Sequence, residues 1–262
     1  MKIPLKLMEE IEYVETGRNI ASVEDPIWLS ILSDYYDREI ELIERASEKK
    51  SFICKSWKIK FVSHQPAFMK IDIGAKPEKL LPQEMIFQSK IFERGEGVLP
   101  LWTTTNNHLV LSIRGPDQTL SLALNDYLEN RGKLEKEDFL NLARLLARLH
   151  LKGRELFSEI FPSSERGDSR DFVLSHGDLT RENILLDKNK KIWLADWENL
   201  RADWPEYDLA YFIRDGMHTY GLKVDDPIHK LFLRAYEKHS GFKINYDRLR
   251  KYLESFKENK IL

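Results

Sequence analysis

The chain is predicted to be α+β and bilobal, with a small lobe of antiparallel strands and one helix joined to a larger, mainly α-helical lobe. Three observations predict this. Between about Glu39 and Gly74, short apolar stretches alternate with polar or Pro/Gly-containing turns, the pattern of a β-meander. After Gly115 the pattern changes to long segments with helical spacing. At 262 residues the chain is long enough for two compact lobes of ordinary domain size. The boundary is accordingly expected between residues 1–115 and residues 116–262.

The elements follow in order. The first ~38 residues, with "DPIWLSILSDYYD", are expected to add a helix to the small lobe. "EIELIERAS", "SFICKSWKIKFVS" and "PAFMKIDIG" read as three meander strands. Residues 77–94 read as a helix with an apolar face at Met85, Ile86, Ile91 and Phe92, followed by a turn at "RGEGVLPLW" and a strand at "HLVLSIRG". In the second lobe, "DFLNLARLLARLHLKG" places Phe139, Leu142, Leu146 and Leu149 on one helical face, and Gly153 is expected to close that helix. His150 is then read as a satisfied side chain at the helix C-terminus. Three short apolar stretches, "DFVLSH", "NILLD" and "KIWLAD", come next, and helical spacing with aromatic residues returns from about Tyr207.

Bulk properties exclude several classes. The formal net charge of -2 carries no global signature of nucleic-acid binding. The single cysteine, Cys54, cannot form an intrachain disulfide and has no second thiol for a metal cluster, which fits a reducing, cytoplasmic setting. Acids at Glu9, Glu10 and Glu12 stand where a signal peptide needs an apolar core, and no uncharged stretch approaches the ~18 residues of a membrane span. A soluble protein with no membrane partner is expected.

The stretch "SHGDLTRENILLD" carries the chemistry. Transfer of a phosphoryl group from ATP needs a carboxylate to orient the attacking hydroxyl, and oxygen ligands to hold magnesium against the phosphates. Magnesium takes octahedral oxygen coordination, commonly one or two protein groups completed by water and phosphate. Asp178 suits the first task. Asn183 offers a neutral oxygen ligand, and Asp196, at the end of the next apolar stretch, an anionic one. A loop separates Asp178 from Asn183 and a hairpin separates Asn183 from Asp196, so the three can converge.

"HGDLTREN…LADWE" resembles the catalytic signature of the aminoglycoside phosphotransferase and choline kinase superfamily, relatives of the protein kinases. The helix ending "LLARLH" resembles the one that precedes the family's catalytic loop. The resemblance implies a protein-kinase-like fold, ATP and Mg2+ as cofactors and a small-molecule alcohol as substrate. It implies Asp178 as the catalytic base, His176 as the brace of its loop, and Asn183 and Asp196 as metal ligands. It further implies that Lys70, in "AFMKIDIG", reaches the α/β-phosphates with Glu84 or Glu78 as its ion-pair partner. The backbone of Leu111 to Arg114, including Ile113, would be the hinge that binds adenine.

Departures also inform. The turn near "RASEKKSF" lacks the Gly-x-Gly-x-x-Gly loop of protein kinases, so Ser47 and Ser51, or backbone amides, are the candidates for phosphate contact. "DWE" replaces the protein-kinase Asp-Phe-Gly and is similar to the Asp-aromatic-Glu of bacterial choline and thiamine kinases. Only about ten residues separate Asp196 from the helix start at "PEYDLA", too few for an activation segment.

From Asp196 to Asp215 the acids Asp196, Glu198, Asp203, Glu206, Asp208 and Asp215 outnumber the bases Arg201 and Arg214, interleaved with Trp197, Trp204, Tyr207 and Tyr211. Acids beside aromatic faces suit a cationic alcohol such as choline, ethanolamine or thiamine, with an amino sugar or uncharged sugar as alternatives. Glu198, Trp204 and Tyr207 are the candidate substrate contacts. The competing readings of the whole chain are a protein kinase and a non-catalytic, kinase-shaped binding module. The latter commonly lacks the lysine, the base or a metal ligand, and all are present here.

Overall fold

The computed structural model describes residues 11–20, 25–45, 56–74, 81–93, 97–128, 134–160 and 172–258. It has two compact units, one formed by residues 1–90 with 99–128 and the other by 91–98 with 129–262.

The first unit is built on a seven-stranded sheet. β1 (Ile11–Glu15), β2 (Ile40–Arg45), β3 (Ser56–Phe61), β4 (Ala67–Gly74), β5 (Leu101–Trp102), β6 (Val110–Arg114) and β7 (Thr119–Asp126) supply it, with α1 (Pro26–Tyr36) and α2 (Leu81–Glu93). The main order is β1-β6-β7-β4-β3-β2, with β5 added beside β7. β2, β3 and β4 form the expected antiparallel meander. β1 is the exception to the antiparallel expectation, pairing parallel to β6 from Ile11–Val110 to Glu15–Arg114.

Strand alternation divides the sheet into two apolar faces. Leu111 and Ile113 of β6 and Leu120, Leu122 and Leu124 of β7 join Trp57, Ile59, Met69 and Ile71 in one core. Trp28, Leu32 and Tyr36, spaced four apart on α1, cover this face and are buried. Burial of the Leu32 side chain alone contributes about 1.5–3 kcal/mol, so α1 is part of this core. Asp25 starts α1 by accepting from the Ile27 N–H at 3.1 Å, with Pro26 at the first helical position. On the other face Ile11, Val110 and Ala123 meet Met85 of α2.

β7 places the division of the chain later than expected. Thr119–Asp126 pairs with both β4 and β6, so these residues belong to the first unit, and the chain leaves that unit after Leu128.

The second unit contains α3 (Lys136–Ile160), β8 (Val173–Ser175), β9 (Ile184–Leu186), β10 (Ile192–Leu194), β11 (Arg201–Asp203), α4 (Glu206–Tyr220), α5 (Pro227–Ser240) and α6 (Tyr246–Glu258). α3 does not stop at Gly153. A Cβ at Gly153 would sit 2.9 Å from the Leu174 Cβ, so this glycine lets β8 approach the helix rather than ending it. β9 and β10 form an antiparallel hairpin, and β11 pairs antiparallel with β8. Phe212 on α4 packs on Phe139 at 5.4 Å and on Phe232 at 4.6 Å, tying three helices together. No helix among the described residues is long and apolar enough to cross a membrane.

Candidate active site

The site is built from the chain between β8 and α4. After β8, His176, Gly177 and Asp178 make the turn into a 3-10 segment, Arg181–Asn183, which leads directly into β9. One buried carboxylate anchors the turn. Asp208, in the first turn of α4, accepts from the His176 N–H at 2.7 Å and the Gly177 N–H at 3.0 Å, and meets His150 Nε2 at 3.0 Å. The other His150 nitrogen lies 2.7 Å from the Tyr236 hydroxyl. Burial works to raise the Asp208 carboxyl, but its hydrogen bonds to His150 and to the Gly177 amide outweigh it and hold the carboxyl below its ordinary value. His150 is therefore a buried strut in the middle of α3, not a terminal side chain. Its place one turn after Leu146 on the apolar face was the signal for this.

Gly177 has φ +85°, and an added Cβ would meet the Asn199 carbonyl oxygen at 2.1 Å, so the turn requires glycine on both counts. His176 hydrogen-bonds through both ring nitrogens. Its Nδ1 accepts from the Asp178 N–H at 3.3 Å, which makes Nε2 the protonated nitrogen, and that N–H donates to the Ala195 carbonyl at 2.9 Å. The ring is neutral because burial lowers its pKa below the ordinary 6.5.

These two groups set an acid limit. At low pH these two groups bind more protons in the unfolded chain than in the folded one, first His176 and then Asp208, so their contribution to stability falls as pH falls. The loss begins below about 6.5 and deepens below 3.8. His229, also lowered by burial, adds in the same direction. Urea midpoints measured between about pH 8 and pH 5 should decline toward acid, and His176→Gln should flatten the decline; a profile rising toward acid would contradict the neutral assignment.

Asp178 is half-buried and held by Asn183. Asn183 Nδ2 donates to the Asp178 backbone oxygen at 2.8 Å and to its Oδ2 at 3.1 Å. Burial and the Asp178 carboxylate push the phenol of Tyr211, on α4, up to about 12, so it stays protonated. With its amide nitrogen engaged by Asp178, Asn183 presents Oδ1 elsewhere. The Asn183 carbonyl accepts from the Ala195 N–H at 3.0 Å, which ties the loop to the residue before Asp196. Asp196 itself has φ +60° and an exposed side chain. Asn183 Oδ1 and the Asp196 carboxylate are hard oxygen donors, a set that suits Mg2+ completed by water and phosphate oxygens. Among the described residues no cluster of three His, Cys, Asp or Glu side chains forms a protein-only metal cage.

In the first unit Lys70 is buried on β4. Its cross-strand neighbour is Ala123, which packs with Met85, so Lys70 occupies the α2 face of the sheet. Glu84 lies in α2, and its side chain is outside the described residues, as are Glu78, Ser47, Ser51 and Cys54. The hinge expectation for Leu111 and Ile113 is not met. β6 is paired on both edges, with β1 and β7, and both side chains are core, so this backbone is closed to adenine.

Trp204 and Tyr207 pack against other side chains of the second unit. The Arg248 guanidinium covers Trp204 at 3.5 Å, while Phe172 meets its ring at 4.8 Å. Tyr207 belongs to a cluster with Tyr211, Tyr252 and Phe256. Glu198 is exposed two residues beyond Asp196. The acids that suggested a cationic substrate are mostly consumed. Asp203 accepts from the Tyr252 hydroxyl at 2.6 Å and pairs with Arg201, Glu206 binds the Asn245 N–H and Arg248, and Asp215 takes the Arg181 N–H.

A mixed sheet with its helix in one unit, and this loop in a mainly helical second unit, define the protein-kinase-like fold. The chain belongs to the phosphotransferase enzyme family, whose model matches residues 112–252, more than half of it. Among solved structures it is similar to amicoumacin kinase hAmiN, solved with AMP-PNP and Ca2+, at 12% identity and a TM-score of 0.65 over 90% of this chain and 94% of that one. Spectinomycin phosphotransferase, solved with ADP and spectinomycin, aligns at 15% identity and a TM-score of 0.62 over 86% and 82%. Choline kinase LicA from Streptococcus pneumoniae aligns at 16% and 0.51 over 89% and 100%. No curated protein matches by sequence.

Proposed function

We propose that this chain is a cytoplasmic, ATP- and Mg2+-dependent kinase that phosphorylates a hydroxyl group of a small molecule. The observation that carries the reading is the Asp178–Asn183 bond, which presents one carboxylate as base and turns the asparagine oxygen toward a different task. Similarity to structures solved with AMP-PNP or ADP supports nucleotide as the donor.

In this reading Asp178, fixed by Asn183, orients the acceptor hydroxyl and takes its proton. The new bond forms between the acceptor oxygen and the γ-phosphorus as the bond to the β-bridging oxygen breaks, and ADP departs. Asn183 and Asp196 would hold Mg2+, which would supply neutralisation of phosphate charge. Lys70, with Glu84, binds the phosphates. Amino alcohols, amino sugars and sugars are the acceptors the sequence suggested; the commitment of Asp203, Glu206 and Asp208 to internal bonds removes much of the argument for a cationic one, and the acceptor proposed is a small-molecule alcohol.

The test is ADP release by the purified chain with ATP or GTP, with and without Mg2+, over a panel of alcohols. Acceptor-dependent ADP release supports a kinase. Nucleotide binding without release under any condition would favour the binding module.

A further inference from the structure

The wall beside the base bears a positive charge that the reaction as proposed does not use. Tyr211, whose phenol is raised in part by the Asp178 carboxylate, stands one turn after Tyr207 and just before Arg214 on the same face of α4, the helix whose Asp215 accepts the Arg181 N–H of the Asp178 loop at 2.8 Å. Phe256 of α6 closes the wall, with its ring 5.1 Å from Tyr211 and 5.3 Å from Tyr207.

The ring surfaces that would draw a substrate ammonium group already carry guanidinium groups. Arg214 lies 5.5 Å from the Tyr211 ring and 5.8 Å from Phe256, and Arg201 lies 4.5 Å from Tyr207. The charges differ in how they are balanced. Arg201 pairs with Asp203 at 3.1 Å. For Arg214 no carboxylate partner occurs among the described residues, and the adjacent Asp215 is taken by the Arg181 N–H and the Thr219 hydroxyl. A planar guanidinium held over aromatic rings, with no acid partner among the described residues, is suited to a carboxylate or phosphate group, which it can bind through two parallel hydrogen bonds.

We infer that the acceptor is an alcohol bearing an anionic group, carboxylate or phosphate, which Arg214 holds against the Tyr211–Phe256 rings while the hydroxyl lies at Asp178. This rests on the kinase reading and deepens it. Arg214 is then the residue that sets specificity.

The experiment measures ADP release and Mg2+-ATP binding by the full chain with four acceptor groups: hydroxy acids such as glycerate and gluconate, phosphate-bearing alcohols such as glycerol 3-phosphate, neutral alcohols such as glycerol and glucose, and the cations choline and ethanolamine. One of the two anionic groups should stimulate ADP release, and which one does so separates carboxylate from phosphate. Arg214→Gln should lower kcat/KM for that acceptor about 10- to 100-fold, chiefly through KM, and Arg214→Lys should recover part of the loss. Thermal midpoints of both variants establish that they are folded. Mg2+-ATP binding with only cationic or neutral alcohols accepted, with no anionic alcohol accepted, or with an anionic acceptor indifferent to Arg214→Gln, overturns the inference alone. Absence of nucleotide binding overturns the kinase reading beneath it.

Discussion

Asp178→Ala is expected to lower kcat by roughly 10²- to 10⁴-fold, the contribution of a positioned general base, while ATP binding is retained. The expectation follows from the local geometry. Asp178 is the carboxylate on the loop that Asn183 fixes through both the Asp178 backbone oxygen and Oδ2. Asp215, the neighbouring acid, accepts the Arg181 N–H at 2.8 Å and so holds the loop backbone. It is not placed to substitute. Asp178→Asn sharpens the comparison, because it keeps an oxygen acceptor of similar shape and removes the ability to take a proton. Both variants should lose turnover together. Wild-type turnover in either one would remove Asp178 from its role.

The second large effect concerns Asp208. Its replacement by Ala leaves the His176 and Gly177 amides and His150 Nε2 without their acceptor, all in a buried setting. Breaking a buried charged network in this way costs about 3–5 kcal/mol, a large fraction of the stability of an ordinary domain. Asp208→Asn retains one oxygen acceptor and should recover part of the loss. The same change should loosen the turn that carries Asp178, so activity should fall with stability. Urea denaturation near neutral pH measures the effect. A loss under about 1 kcal/mol, within reach of ordinary surface substitutions, would mean that other groups anchor the loop.

What the sequence made legible was local. "HGDLTREN" names its own loop because the spacing is short, and the structure brings Asp178 and Asn183 into contact as that spacing implies. Asp208 bonds back to this loop from the first turn of α4. The misreadings arose where tertiary context decides. "TLSLALND" alternates leucines at 120, 122 and 124 and is β7, yet it follows the point where helical spacing appeared to begin. β1 escaped notice because five residues that pair in parallel with a distant strand carry little local signal. Gly153 looked like a helix end, and only the approach of Leu174 shows that it is a packing position. The assignment of Leu111 and Ile113 to a hinge failed for the related reason that β1 occupies the edge of β6. Counting acids from Asp196 to Asp215 misled most, since sequence cannot show that Asp203, Glu206 and Asp208 are committed to internal hydrogen bonds.

The most direct measurement is the thermal midpoint of the wild-type chain and of Asp196→Ala, titrated with ATP in the presence and absence of Mg2+. A ligand that binds only the folded state stabilises it by mass action, by about 2.7 kcal/mol at one hundred times its Kd. ATP should raise the wild-type midpoint in a metal-dependent way, and Asp196→Ala should lose most of that dependence. A midpoint unmoved by millimolar ATP or GTP with Mg2+ would contradict the kinase account.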